Sequence, residues 1–335
     1  MKQTNRQAPL EQNRIVVWDP SGSEKNWLIN AFAKELETIN QLDQSFRYEL
    51  LESVPGAQDP IAFNPGPPGP TASFVNEYHC FIFRRMQISQ QLNGPSLPHF
   101  HEICMLNTSG WDVNKGLQDR AYNESTLQPL VNAKHIVLIL GIPRVSSFQT
   151  PQSHSTDIAL RISEPEEVFQ DSPFLSSSER LIPDFPGISA QDWSSDDYLR
   201  VFQLLFAIFG NQPQRNISVC LMKADQQSFR GDTWSVFQRR FGNTLYKLLQ
   251  FQAQYHHIEI SVTSAVGYLR QGGITIPNYL NGNLRDEDNW KPVNTTGPFF
   301  WLFEQIEQER MQNSRSLFSQ RRRQSLPYPK TPTYW

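Results

Sequence analysis

Lys25 stands in the run Asp19-Pro20-Ser21-Gly22-Ser23-Glu24-Lys25-Asn26, between the apolar stretch RIVVW and the helix-like stretch WLINAFAKEL. A lysine at a strand-to-helix turn can meet an anion. Its ammonium adds to the partial positive charge and the open N–H groups of a helix start. The spacing matches the phosphate-binding pattern GxxxxGK[ST], with Lys25 in register and Ser23 and Asn26 close by. Asp19 and Glu24 stand where that pattern has glycine, and Asn26 stands where it has a hydroxyl. Taken alone, the run also fits a plain capped strand–turn–helix.

Three later apolar runs end in residues of related chemistry. HEICML leads into Asn107-Thr108-Ser109-Gly110, ISVCLM into Lys223-Ala224-Asp225, and IEISVT into Ser264-Ala265. In a parallel sheet, ligands sit at the carboxyl ends of strands. Four imperfect motifs, each after a strand-like run and in a fixed order, resemble the translation-factor class of P-loop GTPases, also called the TRAFAC type. That family carries DxxG, [NT]KxD and SA[KL] at the later three places. The resemblance covers roughly residues 14–312.

The resemblance implies a role for each position. Lys25 would reach the β/γ-phosphates, and Gly110 would sense the γ-phosphate. Asn107 replaces the aspartate that orients Mg²⁺ through water. Lys223 would lay its stem on the guanine ring, with Met222 in place of the first motif residue. Asp225 would accept two hydrogen bonds from guanine, and the Ser264-Ala265 backbone would meet the guanine oxygen. Thr71, in GPTASF, is the candidate switch threonine and equally fits an ordinary loop position.

The departures concentrate on the phosphate and metal half. Glycine permits close approach of the backbone to phosphate. Two like charges 4 Å apart repel by about 4 kcal/mol at an effective dielectric of about 20. Repulsion of that order weakens a nucleotide by about a thousandfold. Asn26 and Asn107 offer neutral amides, poor ligands for a hard cation such as Mg²⁺. The implied cofactor is GTP or GDP, held weakly or not at all, with little hydrolysis. The expectation is a scaffold or switch protein acting through another protein. A working GTPase completed by a partner is the alternative. An α/β enzyme of unrelated chemistry is a third reading, and it predicts a pocket lined by His99 or His101.

The elements that must position these residues alternate between strand and helix patterns. Strands are expected at 14–18, 77–88, 101–106, 134–141, 217–222 and 258–263, and helices at 25–38, 192–209, 232–251 and 296–312. This pattern predicts an α/β fold of the P-loop NTPase type: a mainly parallel six-stranded sheet flanked by helices. Two irregular inserts are expected at about 41–75 and 143–190, the first because of PGPPGP at 65–70. A polar arm, 1–13, precedes this domain, and a basic Pro/aromatic tail, 313–335, follows it. Arg321, Arg322 and Arg323, with Pro327, Tyr328, Pro329, Tyr334 and Trp335 behind them, fit a linear docking peptide or a solvated end.

Composition narrows the classes further. The 335-residue chain is 38% hydrophobic and 19% charged, enough for a sizeable core. A net charge of -3 provides no field for nucleic acid. No run approaches the length of a membrane span, and the N-terminus lacks the apolar segment of a secretory signal, so a cytoplasmic protein is expected. Cys80, Cys104 and Cys220 lie in apolar runs without zinc-like spacing and read as reduced core thiols. His99 and His101 share a strand face but lack a convincing further metal ligand. His256 and His257 are expected to be solvated. No GxSxG elbow is present.

Overall fold

The alternation in β1 (Arg14–Trp18) sets up the whole architecture. Ile15 and Val17 point to one face and Val16 and Trp18 to the other, and all four are at most 2% exposed. A strand that is apolar on both faces must be covered on both.

The computed structural model describes residues 14–19, 25–43, 45–53, 59–66, 77–87, 99–107, 130, 132–143, 193–210, 214–224, 231–280 and 283–324. After β1 come α1 (Lys25–Leu42), β2 (Phe46–Ser53), β3 (Ile61–Ala62), β4 (Glu77–Gln87), β5 (His99–Asn107) and β6 (His135–Leu140). Then follow α2 (Ser195–Phe209), β7 (Asn216–Leu221), α3 (Thr233–Phe241), α4 (Asn243–Gln252) and β8 (His257–Val262). Two small hairpins, β9 (Tyr268–Gln271) with β10 (Ile274–Pro277) and β11 (Tyr279–Leu280) with β12 (Asn283–Leu284), precede α5 (Gly297–Gln324).

The main sheet has the order β3-β2-β4-β5-β1-β6-β7-β8. The strands β5, β1, β6, β7 and β8 run parallel, while β4, β2 and β3 join antiparallel. The fold is therefore α/β with a mostly parallel sheet, as expected. It has eight strands, not six. Both additional strands, β2 and β3, lie in the segment expected to be an irregular insert. FRYELLES, upstream of the prolines and glycines at 65–70, packs as a strand. The Tyr48 ring lies 6.0 Å from that of Phe83 and 5.6 Å from that of Phe300.

One face of the sheet packs on α2, α3 and α4 through Val16, Leu138, Phe202, Phe237 and Leu249. The opposite face packs on α1 and α5 through Val17, Leu28, Phe32, Phe299 and Leu302. Local signals fix several boundaries. Ser194 and Asp197 form a reciprocal capping box at the start of α2. The single helix expected over 232–251 is instead broken into α3 and α4 at Gly242, whose φ of 86° lies outside the helical range and favours glycine. The last helix runs well past 312, to Gln324, so Arg321, Arg322 and Arg323 sit in its final turns and not in an extended tail. The segment 144–192, with most of the second expected insert, and the residues 325–335 lie outside the described part.

At the amino ends of β6, β7 and β8 a polar cluster fastens α5 to the sheet. The Asn216 amide Nδ2 donates to Glu309 Oε1 at 3.0 Å and meets His135 Nδ1 at 3.1 Å. Lys134 Nζ donates to Glu309 Oε2 at 2.6 Å. Burial pushes the His135 imidazole down to about 4, although the Glu309 carboxylate opposes this. His256, expected to be solvated, is buried: it stacks on Phe206 and accepts the Arg215 backbone N–H at 3.3 Å. His257 is exposed, yet its Nδ1 lies 3.0 Å from Asn216 Oδ1.

Candidate functional site

Because β5, β1, β7 and β8 run parallel within one sheet, their carboxyl ends share one edge. Asp19 follows β1, Asn107 ends β5, Lys223 follows β7, and Ser264-Ala265 follows β8. Lys25 opens α1 at that same edge. The structure thus collects at one end of the sheet every described residue that the motifs singled out. Ser23, Glu24, Thr71, Gly110 and Asp225 lie outside the described residues, and of Asn107 only the backbone is described.

Lys25 is the least conventional of these residues. Its side chain is 2% exposed, and its Nζ has no hydrogen-bond partner among the described residues. Burial lowers the pKa of the ammonium, and the negative charge of Asp19 partly offsets that effect. Asp19 is itself fully buried. It acts on Lys25 through its field and not through a hydrogen bond. A buried, unpartnered ammonium at a helix start is costly unless an anion meets it.

Asn26 is partly buried, and its backbone oxygen accepts Asn30 Nδ2 at 2.8 Å. Asn30 Oδ1 in turn accepts the Gly66 N–H at 3.1 Å. The first turn of α1 is therefore tied to the segment after β3.

The other half of the edge is a braced pair of loops. The Ala224 N–H donates to Thr263 O at 2.9 Å. Arg240, largely buried, donates Nη1 to Met222 O at 2.8 Å. Between these two anchors Lys223 adopts φ 60°, a left-handed conformation that is costly for lysine and frequent at functional turns. Ser264 is fully buried; it exchanges backbone hydrogen bonds with Val293, and its Oγ accepts the Gly267 N–H at 2.9 Å. The Ala265 carbonyl accepts the Trp290 indole N–H at 2.7 Å. The Trp290 ring meets Trp27, two residues beyond Lys25, edge-on at 6.3 Å. One side chain thus couples the Lys25 half of the edge to the Ser264-Ala265 half. Sequence reasoning missed Trp290; its only signal was a lone aromatic in the polar loop DEDNW.

The histidine reading does not place chemistry here. His101 is 1% exposed and stacks on Phe303 at 4.4 Å, inside the layer between the sheet and α5. The His99 side chain lies outside the described part. Among the described residues, Cys80, Glu102 and Cys104 bring three ligand-type atoms within 4.8 Å of one another, but Arg14 already donates to Glu102 Oε2 at 3.0 Å. No described helix is long and apolar enough to cross a membrane. Comparison with protein-family models found no match, and neither did comparison with curated proteins or with solved structures.

Proposed function

We propose that this chain is a GTPase-like scaffold or switch protein. Its edge site takes a guanine-nucleotide phosphate weakly at Lys25, and it acts through protein partners with little or no hydrolysis. The observation that carries this reading is the buried ammonium of Lys25, which has no hydrogen-bond partner among the described residues. A phosphate oxygen is a fitting partner for it. Support also comes from the central β1, with β5 and β6 as parallel neighbours and the motif residues at one edge. Fully buried Asp19 argues against tight binding of a polyanion.

Mg²⁺ fits the residues poorly. Asn26 brings an amide where a hydroxyl would be needed, and Asn107 brings one where a carboxylate would be needed. Without those groups, phosphoryl transfer lacks both the metal and the positioning it depends on. A second reading, a working GTPase completed by a partner protein, is favoured by the left-handed Lys223, which has the character of a retained ligand turn.

The test is titration of a fluorescent GTP analogue, with and without Mg²⁺, against the wild-type chain and the Asp19→Asn, Lys25→Met and Asp225→Ala variants. Weak binding is expected. It should be insensitive to Mg²⁺, stronger in Asp19→Asn, and lost in Lys25→Met and Asp225→Ala. No binding up to millimolar nucleotide by a folded protein would sink the nucleotide part of the proposal. Turnover that depends on Mg²⁺ would establish the second reading.

A further inference from the structure

Cys80 and Cys104 face each other across the antiparallel β4–β5 pair, in direct register. Their sulfurs lie 2.7 Å apart, and both thiols are free. Directly opposed residues of antiparallel strands have Cα atoms about 4.5 or 5.5 Å apart. Both values fall within the roughly 4.4–6.8 Å that a disulfide spans. The pair therefore meets the spacing that a disulfide requires. We propose that Cys80 and Cys104 are a redox dithiol that hydrogen peroxide converts to a cross-strand disulfide.

The surroundings give the two sulfurs different parts. Cys80 is half-buried and open to a small oxidant, whereas Cys104 is buried. The two sulfurs share a hydrogen bond in which either can donate; with Cys104 as donor, Cys80 is the more acidic thiol, an effect to which the Arg14 cation adds and which burial and Glu102 oppose. Cys104 is held protonated by the same bond and by burial. The thiolate is the nucleophile in such chemistry, so the reaction begins at Cys80.

In the first step the Cys80 sulfur attacks one peroxide oxygen. An S–O bond forms, the O–O bond breaks, and the departing hydroxide takes a proton to become water. In the second step the Cys104 sulfur attacks the Cys80 sulfenic acid. The S–S bond forms, the S–O bond breaks, and the second hydroxide leaves as water with the Cys104 proton. Two thiols lose two electrons and one peroxide gains them. A thiol reductant reverses the change by exchange.

The location gives the bond a consequence. Cys104 lies three residues before Asn107, and Asn107 pairs with Glu77, three residues before Cys80. At about 3.3 Å per residue, the crosslink clamps this strand pair about 10 Å from the edge. The inference is independent of nucleotide binding, because its readout is thiol chemistry alone.

The test uses the full chain treated with a small excess of hydrogen peroxide, then denatured and alkylated without reductant. The expected product is lighter than the untreated chain by two hydrogens before alkylation, takes up label only at Cys220, and yields a Cys80–Cys104 linked peptide. Reductant should restore all three labels. In Cys104→Ser a sulfenic acid should accumulate at Cys80 and react with a dimedone probe. Three alkylated thiols after treatment of the wild-type chain would overturn the proposal. So would a crosslink that includes Cys220, or one zinc ion per chain held by the two thiols and removed by a chelator.

Discussion

The indole N–H of Trp290 donates to the carbonyl oxygen of Ala265 at 2.7 Å. Trp290 is 5% exposed, and its ring also packs edge-on against Trp27. The loop after β8 is thereby held against the first turn of α1.

Trp290→Phe keeps most of the ring contact and removes the donor. A buried carbonyl left without its partner costs about 1–3 kcal/mol. Chemical denaturation should show a loss in that range. Trp290→Ala also opens a cavity and should cost about 3–5 kcal/mol. If the edge binds nucleotide, Trp290→Phe should weaken binding even though it replaces no residue of the four motifs.

Asp19 and Lys25 give a second prediction. Each is buried, and the negative charge of Asp19 is what favours the charged form of Lys25. Lys25→Met removes a costly buried ammonium, but it also takes away the attraction between that cation and Asp19, a loss of about 1 kcal/mol or more. Adding Asp19→Asn to that variant should recover much of the loss. The double-mutant cycle, read by urea denaturation, should give a coupling of at least about 1 kcal/mol. Additive single effects would show that the two charges do not sense each other.

His135 makes stability depend on pH. It titrates at about 4 in the folded protein, below its ordinary 6.5, because it is buried. Between those values the unfolded chain holds a proton that the folded chain does not. Its contribution is therefore full above the unfolded value and is lost as pH falls toward the folded one. Each tenfold difference in proton affinity is worth about 1.4 kcal/mol, so the loss is at most about 3.5 kcal/mol. Urea midpoints measured at neutral pH and again at weakly acidic pH should converge for the wild type and His135→Asn. A fall of equal size in both proteins would assign the acid sensitivity elsewhere.

Much of the scaffold was legible because doubly buried strands write themselves as continuous apolar runs. β1, β6 and β7 are such strands, and each was placed to within a residue or so. The α2 helix was legible from its apolar spacing, but it was expected from 192 and starts at Ser195, where the Ser194 cap sets the boundary. β2 was not legible, because it is only partly buried and charged residues interrupt its pattern. The pairing of Cys80 with Cys104 depends on strand register, which no local signal specifies. The place of Lys25 could be read from spacing. Its burial without a hydrogen-bond partner among the described residues could not, because that depends on how the whole edge closes.

Lys223 holds a strained backbone conformation at the sheet edge. Its φ of 60° is one of two positive values among non-glycine residues in the described part. A left-handed lysine costs about 1–2 kcal/mol relative to the right-handed form. Glycine adopts that conformation freely, but it adds about 0.4–1 kcal/mol of unfolded-state entropy. On these two terms Lys223→Gly should therefore leave the fold unharmed or make it more stable, by up to about 1.5 kcal/mol. If the strained lysine is kept for its stem against a guanine ring, the same variant should bind the GTP analogue more weakly. Lys223→Asn, which also tolerates the left-handed region, separates the backbone effect from the side-chain effect. A variant that is less stable and binds unchanged would remove Lys223 from the site and leave its backbone conformation a feature of the turn alone.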